Sequence, residues 1–215
     1  MIRFIVRLGL LIIVAVVACL VWAVWPRTAN LRDFDAEEVA RIEAGMWRDY
    51  YERDYQHLWL QLFNLHYQQY HFSPARSLEL ATAASQAAKI FQPTTSRDEA
   101  QIALPELTKY YSLLKESSGE SFDPAKVAAT ELDWWQLRRE TNAPEKYFAT
   151  IADVTENLFG VKNDHTKEAA RLRARMMRYR DDRRDGKMQP SDWTHIEKNL
   201  IESYRELKRG VARTP

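Results

Sequence analysis

This 215-residue chain is short of cysteine, of glycine and of any strand-like pattern. Its one cysteine, Cys19, lies inside an apolar stretch, so the rest of the chain can form neither a disulfide nor a thiolate metal site. The glycines stand only at positions 9, 45, 119, 160, 186 and 210, too scattered for a phosphate-cradling loop, a dinucleotide fingerprint or a nucleophile elbow. No segment alternates β-branched and polar residues, which removes a sheet as the organising element. An excess of one charge is missing too. Beyond residue 34 there are 27 basic against 29 acidic residues, which gives no general pull toward nucleic acid.

What is present is a hydrophobic run. Residues 8 to 25, LGLLIIVAVVACLVWAVW, are 18 apolar or small residues, with Arg3 and Arg7 before them and Arg27 and Arg32 after. As a helix they span about 27 Å, close to the hydrocarbon thickness of a bilayer. Trp22 and Trp25 suit the headgroup belt, and Pro26 ends the helix at that depth. Arg3, Arg7, Trp22 and Trp25 are thus the expected membrane-interface residues, and lipid along residues 8–25 is the first expected partner. Two other readings stay open, a cleaved secretory signal and a lipoprotein box ending in a lipidated Cys19. Against cleavage, the run exceeds the roughly 7 to 15 residues of a signal core and no A-x-A site follows. Against lipidation, the mature chain would begin LVWAVW where a polar tether belongs. The sequence therefore predicts a single-pass signal-anchor in a bacterial inner membrane. The very short tail carrying Arg3 and Arg7 favours the N-terminus inside, which puts the body in the periplasm, although Arg27 and Arg32 weigh on the other side.

Residues 1–30 then read as anchor and residues 31–215 as one soluble helical domain, an all-α multi-helix bundle of about seven helices. Capping residues precede prolines at Ser73-Pro74, Asp123-Pro124 and Asn142-Ala143-Pro144, and Ser96 and Ser191 mark two further starts. Gly119, Gly160, Gly186 and Gly210 sit where C-terminal caps belong. The helices expected from this punctuation cover 35–71, 74–91, 97–117 with a bend at Pro105, 124–141, 144–159, 164–183 and 192–208. The first of them, about 55 Å long, would continue the anchor as a stalk. Its apolar stripe, Trp47, Tyr51, Tyr55, Leu58, Leu62 and Leu65, and the small residues Ala81, Ala84, Ala87 and Ala88 of the next helix mark the centre of the bundle.

Candidate sites are few. Asp54 with His57, and Asp192 with His195, resemble the di-metal pattern of ferritin-like helices. The usual glutamate is absent, and His57 falls roughly 110° from its helix's apolar stripe, so both histidines are expected on the surface. Residues 181–192, DDRRDGKMQPSD, resemble a degenerate calcium loop with Asp181, Asp185 and Asp192 as candidate ligands, but Arg183 stands where an oxygen donor is required. From Lys167 to Lys187 there are nine basic and four acidic residues, and Arg171, Arg175 and Arg178 share one helix face. Trp134 and Trp135 point about 100° apart and cannot enter one narrow core stripe. Trp135 shares a face with Ala128 and Leu132, which leaves Trp134 for another helix of the domain or for a partner surface. Glu131 reaches both tryptophans, with Arg138 or Arg139 as the expected ion-pair partner. Trp134, Arg171, Arg175 and Arg178 are the candidate partner-binding residues. The five histidines form no catalytic set by spacing, and no cofactor is implied. The expectation is a membrane-anchored, non-catalytic interaction, assembly or accessory module of a membrane-associated complex. A ferritin-like or other helical-bundle enzyme, or a calcium-responsive sensor using 181–192, are the alternatives.

Overall fold

A computed structural model describes residues 2–25, 27–141, 143–184, 186 and 188–213, with side chains from residue 7 onward. Pro26, Asn142, Asp185 and the side chain of Arg3, which carry sequence expectations, lie outside the described residues. Among the described residues there are helices and no strand. They run α1 (Ile2–Val24), α2 (Ala36–Glu52), α3 (Tyr55–Asn64), α4 (Pro74–Phe91), the single-turn α5 (Arg97–Ala100), α6 (Leu104–Ser118), α7 (Pro124–Glu140), α8 (Pro144–Phe159), α9 (Asp164–Asp181) and α10 (Pro190–Val211).

Most boundaries follow local chemistry. Asp35, Ser73, Ser96 and Asp123 accept hydrogen bonds from first-turn amides, and prolines occupy the first turns of α4, α6, α7, α8 and α10. Gly119 and Gly160 take the left-handed conformation beyond α6 and α8, at φ 70° and 65°. The α5–α6 segment bends through a short 3₁₀ turn just before Pro105, as its proline requires. Two start and stop signals act differently from the expectation. Helix α10 starts at Pro190 rather than 192, because Gln189 caps it and the Asp192 carboxylate accepts the Gln189 N–H at 2.8 Å. Gly210 is not a cap but an interior residue of α10: a Cβ there would stand 2.7 Å from Thr166 Cγ2 and 3.0 Å from the Thr166 amide nitrogen, at the start of α9.

The expected stalk is corrected. Residues 35–71 do not form one helix, and α2 does not continue α1. Helix α2 ends in a Schellman motif built on Arg53, which takes φ 61° where a glycine is usual. The Arg53 N–H reaches Tyr50 O at 3.3 Å and the Asp54 N–H reaches Asp49 O at 2.9 Å. The Asp54 carboxylate then accepts the His57 N–H at 3.0 Å and starts α3, so this D-x-x-H pair is a helix cap. Helix α3 doubles back on α2, with Gln61 facing Gly45, and ends in a π turn over Leu65–Gln69.

Successive helices pack on each other in the order α2, α3, α4, α6, α7, α8, α9 and α10, and α10 packs back onto α2. The body is therefore the expected all-α bundle, with its helices closed into a ring. Apolar clusters fill the joints: Leu80, Ala87, Leu107 and Leu132 join α4, α6 and α7, while Ile196, Leu200, Ala40 and Ala44 close α10 on α2. Burial of these side chains supplies the main driving force for closure.

Residues 27 to 35, between α1 and α2, are non-helical yet packed, with Ala29, Leu31 and Phe34 buried. Arg32 is their hub. Its guanidinium makes a bidentate pair with Glu120 at 2.8 and 2.7 Å and donates to the carbonyls of Val211 at 2.8 Å and Phe159 at 2.9 Å. One cation thus stabilises the C-terminal ends of α8 and α10 and holds the linker on the body. Within α1, Arg7–Val24 is long and apolar enough to cross a membrane and has none of that span buried against the body, features that an anchor and a signal sequence share.

Candidate functional site

The inner faces of the ring leave a cavity of about 460 Å³, the volume of a small-molecule pocket. Five elements build it. Helix α2 contributes Glu43, Trp47, Tyr50 and Tyr51, α7 contributes Glu131, Trp134, Trp135, Arg138 and Arg139, and α9 contributes Arg173, Met177 and Asp181. Leu58 from α3, Ala88, Phe91 and Gln92 from the end of α4, and Arg184 complete the wall.

The charged groups are arranged in pairs. Glu43, only 2% exposed, holds the Arg173 guanidinium, whose Nε lies 2.8 Å from Glu43 Oε1, and accepts the Trp47 indole N–H at 3.1 Å on the same oxygen. Desolvation works against the charge on Arg173, yet Glu43 and the neighbouring acidic groups outweigh it and hold the guanidinium's pKa above its ordinary value. Arg173 also lies 5.4 Å from the Trp134 ring centre. Arg138 pairs with Asp181 at 2.8 and 3.0 Å and donates to the Tyr51 hydroxyl. Arg139 stacks 3.5 Å from the Phe91 ring centre and donates to the carbonyls of Phe91, Gln92 and Thr94, so it closes the C-terminal end of α4. Burial raises the Tyr50 hydroxyl's pKa, which keeps it a neutral donor on this wall.

Three side-chain atoms of the lining residues, Glu43 Oε2, Trp134 Nε1 and Arg138 Nε, are sealed from solvent and make no hydrogen bond of ordinary geometry among the described residues.

No family model, curated protein or solved structure matches the chain. The site is read from its own chemistry.

Several sequence expectations meet the structure here. Trp134 faces inward, among Tyr147, Ile151, Ala170, Ala174 and Met177, so it is a contact within the domain and not an exposed anchor for a partner. Trp135 packs against this cluster and the neighbouring one together, its ring tilted 58° to Phe91 at 4.9 Å between ring centres and meeting Trp134 edge-on at 6.3 Å. Glu131 does reach the cavity, but its partners are the Trp135 indole N–H at 2.8 Å and the Tyr111 hydroxyl at 3.3 Å rather than Arg138 or Arg139. Of the basic stretch it is Arg173 and Arg180 that turn inward, Arg180 lying over the Tyr51 ring and 3.2 Å from Asp181. Arg171 pairs with Glu168 and lies 5.1 Å from the Phe148 ring centre, Arg178 pairs with Asp182 at 2.7 Å, and Arg175 is exposed.

The candidate metal ligands are engaged otherwise. Asp181 is on Arg138, and Asp192 accepts the Tyr179 hydroxyl at 2.6 Å beside Arg183 at 3.2 Å. His57 hydrogen-bonds Asp49 at 2.9 Å, and His195 is exposed against the Tyr179 ring. Along and just beyond α1, Arg7, Trp22 and Trp25 are exposed, and Arg27 lies 5.0 Å from the Trp22 ring and 5.8 Å from that of Tyr67, joining the end of α1 to the α3 side of the body.

Sequence reasoning missed Glu43 and Arg173. Glu43 had a signal, since a charge set among Val39, Ala40, Ile42 and Ala44 on α2 is unusual and its position four residues before Trp47 permits the indole bond. Arg173 had none, because nothing separates it from its basic neighbours until α9 is rotated against α2.

Proposed function

We propose that the chain is a single-pass membrane protein whose helical body is a non-catalytic binding module, an accessory part of a membrane-associated complex that takes up a small molecule in the ring's cavity. The observation that carries this reading is a cavity of about 460 Å³ walled by aromatic rings, in which the ionised groups of Glu43, Arg173, Arg138 and Asp181 are engaged with one another. Glu43 and Asp181 are occupied by guanidinium groups, and Glu131 by two neutral donors, an arrangement suited to recognition rather than to proton transfer. Helix α1 serves as the anchor in a bacterial inner membrane. With Arg32 bound into the body, Arg27 is the remaining cation close to the outer end of the span, against Arg3 and Arg7 at the other, which favours a periplasmic body.

The test uses the full chain purified from its own membranes in mild detergent. Native mass spectrometry should show a retained small molecule. Ala88→Phe, which places a ring in the cavity, should lose that mass while remaining folded and in the membrane fraction. Identical spectra from the two proteins would overturn the reading.

A further inference from the structure

We infer that the body rests on the bilayer through the outer face of α3 and α4, which meets the lipid headgroup layer beside the end of α1. This rests on the reading of α1 as a membrane anchor and goes beyond it by giving the helical body a membrane contact of its own. Residues 55–75 hold no lysine, arginine, aspartate or glutamate, in a chain where such residues make up 28%. A helix whose outer side meets only water usually carries charge there. Helix α3 carries rings instead. Trp59 stacks on Phe63 at 5.9 Å between ring centres and 17° between planes, and Phe63 on Tyr67 at 5.7 Å and 19°. All three are half-buried.

Leucines widen this row. Leu60, three residues before Phe63 and on the same side of α3, is 49% exposed. Helix α4 runs antiparallel to α3, since Tyr55 hydrogen-bonds Gln92 while Trp59, one turn on, donates to Thr82 Oγ1 at 3.1 Å. Leu78, one turn back from Thr82, therefore falls beside Phe63, and it is 50% exposed. The charges flanking Leu78 in the chain, Arg76 and Glu79, pair with each other at 3.1 Å. Beyond residue 25 the described residues include one other large apolar side chain so exposed, Ile102.

Position names the occupant. Arg27 lies between Trp22 near the end of α1 and Tyr67 at the end of the ring row, 5.0 and 5.8 Å from their ring centres. With Trp22 in the headgroup belt, Tyr67 stands at the same depth, and α1 also packs on α4. The face is thus continuous with the span. Rings, leucines and uncharged amides suit the boundary between headgroups and acyl chains, where amides keep hydrogen bonds while the rings leave water. A small face is enough for this purpose, because α1 already holds the body at the surface and the contact is in effect intramolecular.

The test puts an environment-sensitive nitrobenzoxadiazole label on single cysteines of the full chain, reconstituted into phosphatidylcholine–phosphatidylglycerol vesicles with lipids spin-labelled either shallow or deep in the acyl chain. Native Cys19 reports α1. Leu60→Cys, Leu78→Cys and Ala149→Cys, each with Cys19→Ser, report the face and, on α8 across the ring from α3, the far side; all three positions are exposed. Cys19 should be quenched most by the deep spin label. Labels at 60 and 78 should emit to the blue of the label at 149 and be quenched by the shallow spin label, and 149 by neither. Adding Phe63→Glu should return the label at 78 toward the emission seen at 149. Labels at 60 and 78 that match 149, while Cys19 is quenched, would overturn the docking face and leave the anchor standing. A blue shift at 60 and 78 without quenching by lipid would overturn it in favour of a second copy of the chain covering the face. An unquenched Cys19 would overturn the anchor reading itself.

Discussion

His66 is fully buried between Leu62 O, 2.6 Å from Nδ1, and the Tyr110 hydroxyl, 3.1 Å from Nε2; a neutral ring protonated on Nδ1 donates to the carbonyl and accepts from the hydroxyl. Burial lowers its pKa from 6.5 to about 4, opposed in part by the Leu62 carbonyl. Between those values the unfolded chain binds the proton that the folded one refuses, so stability falls as pH drops through this window, by roughly 3 kcal/mol in all. His66→Gln should flatten that slope, as read from urea midpoints at about pH 7 and about pH 4.5. Glu120 acts in the same direction at lower pH. The hydrogen bonds from Arg32 hold its carboxyl below the ordinary range, so its contribution is full above the unfolded-state value and is lost as pH falls through the lowered one. At this scale the sequence revealed a histidine but not its burial, which follows from the π turn at Leu65–Gln69 and the packing of α6.

The joint between α2 and α3 is the element that sequence pattern concealed. An apolar stripe at threes and fours continues across Arg53, and no glycine or proline marks the break. The Schellman hydrogen bonds impose a left-handed residue there all the same, at a steric cost that glycine would not carry. Arg53→Gly should therefore stabilise the body by up to about 1 kcal/mol, measured as a rise in unfolding midpoint; a loss would show that the Arg53 side chain itself matters. Where punctuation was explicit, at Pro74, Pro105, Pro124 and Pro144, the elements begin or bend where the sequence predicts. Capping is local chemistry and is legible residue by residue. A stripe says which face is buried but not whether the axis runs straight, so Trp47, Tyr51 and Leu58 all face inward yet belong to two helices, α2 and α3, instead of one rod.

For the whole molecule the decisive contact is Arg32. It joins the linker behind α1 to the Glu120 loop and to the ends of α8 and α10, with side chains 13% and 6% exposed in the Arg32–Glu120 pair. Removing Arg32 leaves buried Glu120 with only the exposed Arg213 at 3.3 Å, and Arg32→Ala should cost about 3 kcal/mol. Limited proteolysis of the full chain should then cut within residues 27–35, a segment held on the body while Arg32 is present. An unchanged cleavage pattern and melting curve would show that the linker is held by Ala29, Leu31 and Phe34 alone. Arg32 also shows why flanking charges cannot be counted from sequence without the fold. Only the structure separates an arginine beside a span from one that belongs to the body.

Sequence by itself determined the apolar N-terminal helix, the all-α class and most helix boundaries, because length, periodicity and caps act within a few residues. Tertiary structure alone decided that eight of the helices close into a ring, that Trp134 faces inward, and that Glu43 and Arg173, 130 positions apart in the chain, meet on the wall of one cavity. The rotation of each helix against its neighbours sets those meetings, and that rotation is fixed by how dozens of side chains pack at once, not by any residue's own neighbours in the chain.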